Sequence, residues 1–182
     1  MKKSIIIGII VIIVTVILII AGVNLIDKNS KTTERMSLTG QKNNEVTYID
    51  FSYEGINFKL PEEWNVKEVE NLLEGNFKNK NTIFSVMSKD VPSGQFDYFS
   101  ETFMPDMINN LPYTTFESGS SEKYSSYYAY DYNAKAIING QSVPVRATAI
   151  SVNDKVIVFL LVAGDNTFNY EEIYDNILLS IK

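Results

Sequence analysis

The pattern of apolar and polar positions divides the chain into three parts. From Ile5 to Ile26 no residue is charged: 11 Ile, four Val and two Leu are interrupted only by Gly8, Thr15, Ala21, Gly22 and Asn24. At ~1.5 Å per residue this run makes a helix of ~33 Å, which matches a hydrocarbon core of ~30 Å. β-Branched residues are mediocre helix formers in water, but in lipid a helix is how one segment satisfies its own backbone. The run exceeds the ~7–15 apolar residues of a cleaved signal peptide. Residues 1–26 are therefore expected to be an uncleaved transmembrane signal-anchor that meets membrane lipid through residues 5–26. Lys2 and Lys3 abut the helix start, whereas Lys28, Lys31, Arg35 and Lys42 are diluted by Asp27 and Glu34. Long domains also translocate largely regardless of charge. The expected topology is single-pass at the cell membrane, with the N-terminus in the cytoplasm and the globular part extracytoplasmic. Residues 27–44 are polar with no apolar period, which predicts a flexible stalk.

Residues 45–182 alternate and repeat as a folded domain does. Val46 to Tyr53 puts Thr47, Ile49, Phe51 and Tyr53 on one side, a strand, and Glu54-Gly55 turns into Ile56, Phe58 and Leu60, stopped by Pro61. Asn81 to Ser88 is a third strand. Phe96, Phe99, Phe103 and Met107 have helical spacing, with a start at Ser93 and a kink at Pro105. Tyr124 to Ile138 and Ser142 to Val152 flank Asn139-Gly140, a strong hairpin signal. Asn153-Asp154 turns into Lys155 to Ala163, whose VIVFLLVA run predicts a strand buried on both faces. Tyr170, Ile173, Tyr174, Ile177, Leu178 and Ile181 form a helical apolar stripe, and Asn169 with Glu172 resembles a capping box. The expected fold class is α+β, an antiparallel sheet flanked by helices.

Composition then narrows the chemistry. The 182 residues contain no Cys and no His, which excludes thiol nucleophiles, zinc-thiolate sites and His-based triads. Net charge is -6, and from Asn43 onward 20 acidic residues face 10 basic ones. Such a chain is a poor partner for a phosphate backbone, so no nucleic acid is expected. No Walker loop, dinucleotide turn or G-x-S-x-G elbow occurs. No cofactor and no metal site is expected; Asp90, Asp97, Asp106 and Asp131 lack the spacing of a calcium loop.

Three residues stand out as binding candidates: Trp64, Tyr127 and Asp131. Trp64 is the single Trp; it is either an interface hot spot or a ring packed at the sheet edge to pin the turn after Pro61. In the Tyr124–Tyr132 stretch, alternation sets Tyr128, Tyr130, Tyr132, Ala134, Ala136 and Ile138 on an apolar face, expected to be core. The opposite face carries Tyr127, Ala129, Asp131, Asn133 and Lys135, and is expected to be polar. Tyr127 is therefore the aromatic left to meet a ligand. Glu62-Glu63 and Glu171-Glu172 are neighbours in sequence and point apart, so neither pair suits the facing carboxyls of a glycosidase. No catalytic residue is assigned.

The stretch Gly55-Ile56-Asn57-Phe58-Lys59-Leu60-Pro61-Glu62-Glu63-Trp64 resembles the opening of PsbP-like domains, in which a short strand ends in a Leu-Pro-x-x-Trp turn. The order of the later elements, down to the closing Leu-Leu-Ser-Ile-Lys, is also similar, so the resemblance spans Tyr48 to Lys182. It implies an α/β/α sandwich and accessory or binding work rather than a shared reaction. The family includes an extrinsic photosystem II subunit, a Ran-binding protein and bacterial envelope lipoproteins. No binding residue of the family carries over. Ile20-Ala21-Gly22-Val23 looks like a lipobox, but Val23 stands where that motif requires Cys, so the anchor helix would replace the lipid.

Together these readings predict a membrane-anchored, non-enzymatic binding or accessory domain of the cell envelope. Its expected partner is an envelope protein or cell-wall component. The rival readings are a carboxylate-dependent cell-wall hydrolase and a structural subunit of an envelope assembly.

Overall fold

A computed structural model describes residues 46–69, 72–76, 82–92, 94–138, 140–164 and 169–182. The expected signal-anchor and stalk lie outside the described residues, and no described helix is long and apolar enough to cross a membrane. Thr47–Lys182 forms one compact unit.

Two antiparallel sheets build this unit. Strands β1 (Tyr48–Tyr53) and β2 (Ile56–Pro61) form a hairpin. Its turn needs positive φ at both central residues, and Glu54 (47°) and Gly55 (89°) supply it. The larger sheet has the order β3-β4-β5-β9-β8-β7-β6, from β3 (Asn65–Val69), β4 (Leu72–Asn76), β5 (Thr82–Asp90), β6 (Thr114–Tyr124), β7 (Tyr127–Ile138), β8 (Gln141–Val152) and β9 (Lys155–Ala163). Helix α1 (residues 96–110) crosses between β5 and β6, and α2 (Tyr170–Leu179) follows β9.

The central strand β9 is buried on both faces from Val156 to Ala163, as its unbroken apolar run predicts. On one face Ile157, Phe159 and Leu161 join Phe84, Val86 and Ile150 beneath the β1–β2 hairpin (Ile56, Phe58, Leu60) and α2 (Ile173, Tyr174, Ile177, Leu178). Phe58 meets Phe159 edge-on at 5.1 Å, an arrangement worth about 0.5–1.5 kcal/mol beyond area burial. The opposite face presents Val156, Val158, Leu160 and Val162 from β9 and Tyr132 from β7, which sits against Ser100 of α1. Asn169 caps α2 reciprocally: its Oδ1 accepts from the Glu172 N–H and its Nδ2 donates to Glu172 Oε2. The sandwich is real, but one outer layer is a helix and a hairpin rather than helices alone.

Three strands go beyond the sequence reading. β3 and β4 are short and contain Asn, Lys, Glu and Gly, residues that carry no alternating signal. β6 is an edge strand exposed from Glu117 to Lys123, so backbone pairing rather than burial holds it. Tyr124 consequently ends β6, and β7 starts at Tyr127 after a turn with Ser125 at φ 56°.

α1 also departs from a simple kinked helix. It runs Phe96–Tyr98, widens to a π-helical turn over Phe99–Phe103 and resumes as Met104–Asn110. The cause is Pro105, which has no N–H and crowds the carbonyl four residues back. The widened turn answers this by sending the Met104 N–H to the Phe99 carbonyl, five residues back. The expected start at Ser93 lies outside the described residues.

The two faces of β7 are not one apolar and one polar. Tyr132, Ala134 and Ala136 are core, as expected, but Tyr128 is 70% exposed. On the other face Ala129 and Asp131 are buried and Tyr127 packs on the hydrophobic cluster, while Asn133 and Lys135 are exposed. The strand is covered on one face by α2 near Ala129 and Asp131, and on the other by α1 near Tyr132. Each half is therefore buried from a different side.

Candidate functional site

Among the described residues two polar features could carry chemistry: a buried cluster around Asp131 and an open cleft at the Glu54 end of the sheet.

The register Asp131↔Thr148↔Phe159 puts three adjacent strands under Tyr174 of α2. Thr148 Oγ1 donates to Asp131 Oδ1 at 2.6 Å, and the Tyr124 hydroxyl donates to Oδ2 at 2.7 Å. The Tyr174 hydroxyl lies 3.0 Å from Thr148 Oγ1 and 3.1 Å from the Phe159 carbonyl, so one proton serves two acceptors. Burial pushes the Asp131 carboxyl above the ordinary range; the Thr148 and Tyr124 hydrogen bonds and the Arg146 charge pull the other way, and Glu122 adds to the rise. Burial likewise raises the Tyr124 and Tyr174 phenols. Arg146 caps the cluster. Its guanidinium lies 4.9 Å over the Tyr174 ring and its Nη1 contacts Asp175 Oδ1 at 2.8 Å. A raised carboxyl is what a general acid requires, but a general acid also has to reach its substrate. Asp131 is 8% exposed and both its oxygens accept from this chain's own hydroxyls. The cluster therefore ties α2 to three strands.

The second feature is a cleft of about 630 Å3 lined by Glu54, Asp90, Pro92, Val152, Asn153, Asp154 and Lys155. It forms where the β1–β2 turn, the end of β5 and the β8–β9 turn converge. Lys155 Nζ holds Glu54 Oε2 at 2.6 Å, and the Ser88 hydroxyl donates to Glu54 Oε1 at 3.2 Å. The hydrogen bond from Lys155 holds the Glu54 carboxyl below its ordinary range, and the same contact raises Lys155. The Val91 N–H donates to the Asp154 carbonyl at 2.9 Å, which fixes the two loops together. Three carboxylates and one ammonium share this recess with Pro92 and Val152. Asp131, the one carboxyl among the described residues that burial raises, does not line it. Among the described residues no group of three or more acidic side chains is placed to hold a metal.

The candidates from sequence fall elsewhere. Trp64 is 5% exposed, its ring 4.9 Å from Phe84, and its backbone N–H donates to the Pro61 carbonyl. Tyr127 is half-buried on the same hydrophobic cluster that holds Trp64. The structure thus brings Trp64 and Tyr127 to one core and Asp131 to its polar rim, and none of the three lines the cleft. The cleft was not visible as a unit because Glu54 and Lys155 lie 101 residues apart. The signal that could have found it is the pair of turns, Glu54-Gly55 and Asn153-Asp154, each preceding or following a buried strand.

No family model matches the chain, and no curated protein matches it. Solved structures do match the fold. Cyanobacterial PsbP (CyanoP) from Synechocystis superimposes with a TM-score of 0.57 over 81% of this chain and 97% of its own, at 14% identity. The domain has a PsbP-like fold. LpqN, described as involved in cell envelope biogenesis of Mycobacterium tuberculosis, shares this PsbP-like arrangement with a TM-score of 0.52, over 77% of this chain and 93% of its own, at 16% identity. At these identities the PsbP-like likeness concerns architecture, and no site residue transfers with it.

Proposed function

We propose that this chain is a single-pass, membrane-anchored protein whose PsbP-like domain does non-enzymatic binding or accessory work in the cell envelope. The observation that carries the reading is the shared fold with an envelope-biogenesis protein, joined to the uncharged 22-residue run Ile5–Ile26. The location of the ionisable groups supports it. The carboxyl raised by burial is enclosed, and the cleft's Glu54 is neutralised by Lys155. A tethered domain searches a surface rather than a volume, which raises its effective concentration for an envelope partner. The test is fractionation of intact source cells with external protease. The expected result is a membrane-bound chain whose domain is digested from outside, and crosslinking that enriches a defined envelope component. A freely soluble chain, or release of fragments from purified cell wall by the intact protein, would overturn the proposal.

A further inference from the structure

The hydrogen bonds around Asp131 form a chain rather than a set of separate pairs. From Asp131 Oδ1 on β7, Thr148 Oγ1 of β8 lies at 2.6 Å, the Tyr174 hydroxyl of α2 3.0 Å beyond it and the Phe159 carbonyl of β9 3.1 Å beyond that. Thr148 and Tyr174 are fully buried. On Oδ2 sits the part-buried Tyr124 hydroxyl of β6, which has no second partner among the described residues. A hydroxyl donates one proton and also accepts, so a chain of hydroxyls can run in either direction. With Asp131 ionised, Thr148 and Tyr124 both donate to the carboxylate. With a proton on Oδ1, that proton goes to Thr148, the Thr148 proton turns to Tyr174 and the Tyr174 proton goes to the Phe159 carbonyl. Every donor then has an acceptor, and the change needs hydroxyl rotation alone. A proton on Oδ2 would instead aim at Tyr124, whose own proton would have no acceptor among the described residues.

We infer that the Asp131–Thr148–Tyr174 chain is a proton-operated clasp on α2: a proton taken from solvent onto Asp131 Oδ1 reverses the hydroxyls and holds Tyr174, and with it α2, more firmly to β7, β8 and β9. Charged and titratable groups face Asp131 from each neighbouring element except β9, which supplies the Phe159 carbonyl. β6 contributes Tyr124 and Glu122, β8 contributes Arg146, and α2 contributes Tyr174 and, through Arg146, Asp175. The Glu122 charge favours uptake of the proton; Arg146 opposes it but is already paired with Asp175. Burial is the largest influence and favours the neutral carboxyl, because a charge costs more to enclose than a carboxylic acid does. The folded chain therefore keeps this proton to higher pH than the unfolded chain, so the clasp is closed in acid and loosens as pH rises through the folded value.

The test titrates the full chain in detergent by nuclear magnetic resonance, with aspartate isotope-labelled at its side-chain carboxyl. The Asp131 signal is the one lost in Asp131→Asn. Tyr174→Phe keeps the ring under Arg146 and removes the far end of the chain. The neutral form then lacks an acceptor for the Thr148 proton, so the Asp131 midpoint is expected to fall by about half a pH unit or more, a roughly threefold loss of proton affinity. Thr148→Val breaks the chain earlier, and adding Tyr174→Phe to it is expected to move the midpoint no further. Without reversal, Tyr174 only supports Thr148 as a donor to the carboxylate, and Tyr174→Phe would leave the midpoint unchanged or raise it; either result overturns the inference. Should Tyr174→Phe fail to melt as a folded protein, hydrogen exchange on the wild-type chain and Asp131→Asn decides. The protection of the Ile177 and Leu178 amides, as the ratio of wild type to variant at each pH, is expected to fall about threefold or more as pH rises through the Asp131 midpoint. A ratio that does not change with pH overturns it as well.

Discussion

Thr148 Oγ1 and Asp131 Oδ1 lie 2.6 Å apart between two strands and beneath a helix, with the Tyr124 hydroxyl on the other carboxyl oxygen. The pair couples a titrating group to the packing of α2 through Tyr174. Its pH behaviour follows from the direction of the shift. Asp131 is raised in the folded state, chiefly by burial. The folded chain therefore holds its proton to higher pH than the unfolded chain does, and stability falls as pH rises from the ordinary carboxylate range through the folded value. Asp131→Asn removes the charge and keeps an acceptor for Thr148. Relative to wild type, the variant should gain stability in urea melts as pH rises out of the ordinary carboxylate range. Glu54, shifted downward, has the opposite sign and is common to both proteins. Parallel curves for the two proteins would refute this.

Asp131→Ala asks a different question, because it leaves the buried Thr148 hydroxyl and the part-buried Tyr124 hydroxyl without an acceptor. Each orphaned donor costs about 1–3 kcal/mol. A loss of ~2–4 kcal/mol at neutral pH, read from chemical denaturation, is the expected outcome.

Arg146 clamps α2 through both the Tyr174 ring and Asp175. Its side chain is 19% exposed, whereas that of Asp175 is 53% exposed, so the stacked ring contact is shielded and the ion pair faces water. Arg146→Lys keeps the charge but loses the planar stacking, and should destabilise the domain by about 1 kcal/mol; Arg146→Ala should cost about 1–3 kcal/mol. Equal denaturation midpoints for the Arg146→Lys variant and the wild-type protein would show that the ring contact contributes nothing.

Trp64 is the single Trp, so its emission reports its surroundings without interference. Packed on Phe84 and 5% exposed, it should emit blue-shifted in the native state and move red on unfolding. Trp64→Ala should cost about 3–5 kcal/mol. A red native maximum with a stable Trp64→Ala variant would instead favour a surface binding role.

Gly119 is required by its neighbour rather than by its own backbone. A Cβ there would collide with Tyr130 Cε1 and fall 3.1 Å from the Asp131 carbonyl. Gly119→Ala should destabilise by about 1–3 kcal/mol through overpacking, as read from denaturation midpoints. Tyr130→Ala in the same chain should recover part of that loss, giving a non-additive double-mutant cycle.

Much of the fold was written in periodicity, and the exceptions follow one rule. β9 and α2 were legible because burial there is complete along a run or a stripe, and burial is what apolar patterning records. The hairpins at Glu54-Gly55 and Asn153-Asp154 were legible because their turns need residues that tolerate positive φ. β6 left no such trace, since Thr114–Tyr124 is held by hydrogen bonds to β7 and its side chains from Glu117 to Lys123 face water. The polar face assigned to Tyr127 and Asp131 failed because alternation separates two faces without saying that both are covered.

By itself the sequence determined the elements that bury apolar surface, the chemistries ruled out by the absence of Cys and His, and the long uncharged N-terminal run. Tertiary structure alone decided which polar residues meet. Lys155 reaches Glu54 across 101 positions, and Asp131 is enclosed because three consecutive strands lie under one tyrosine of α2. Polar encounters depend on where turns bring chain ends together in space, and hydrophobic spacing along a strand or helix carries no record of that distance.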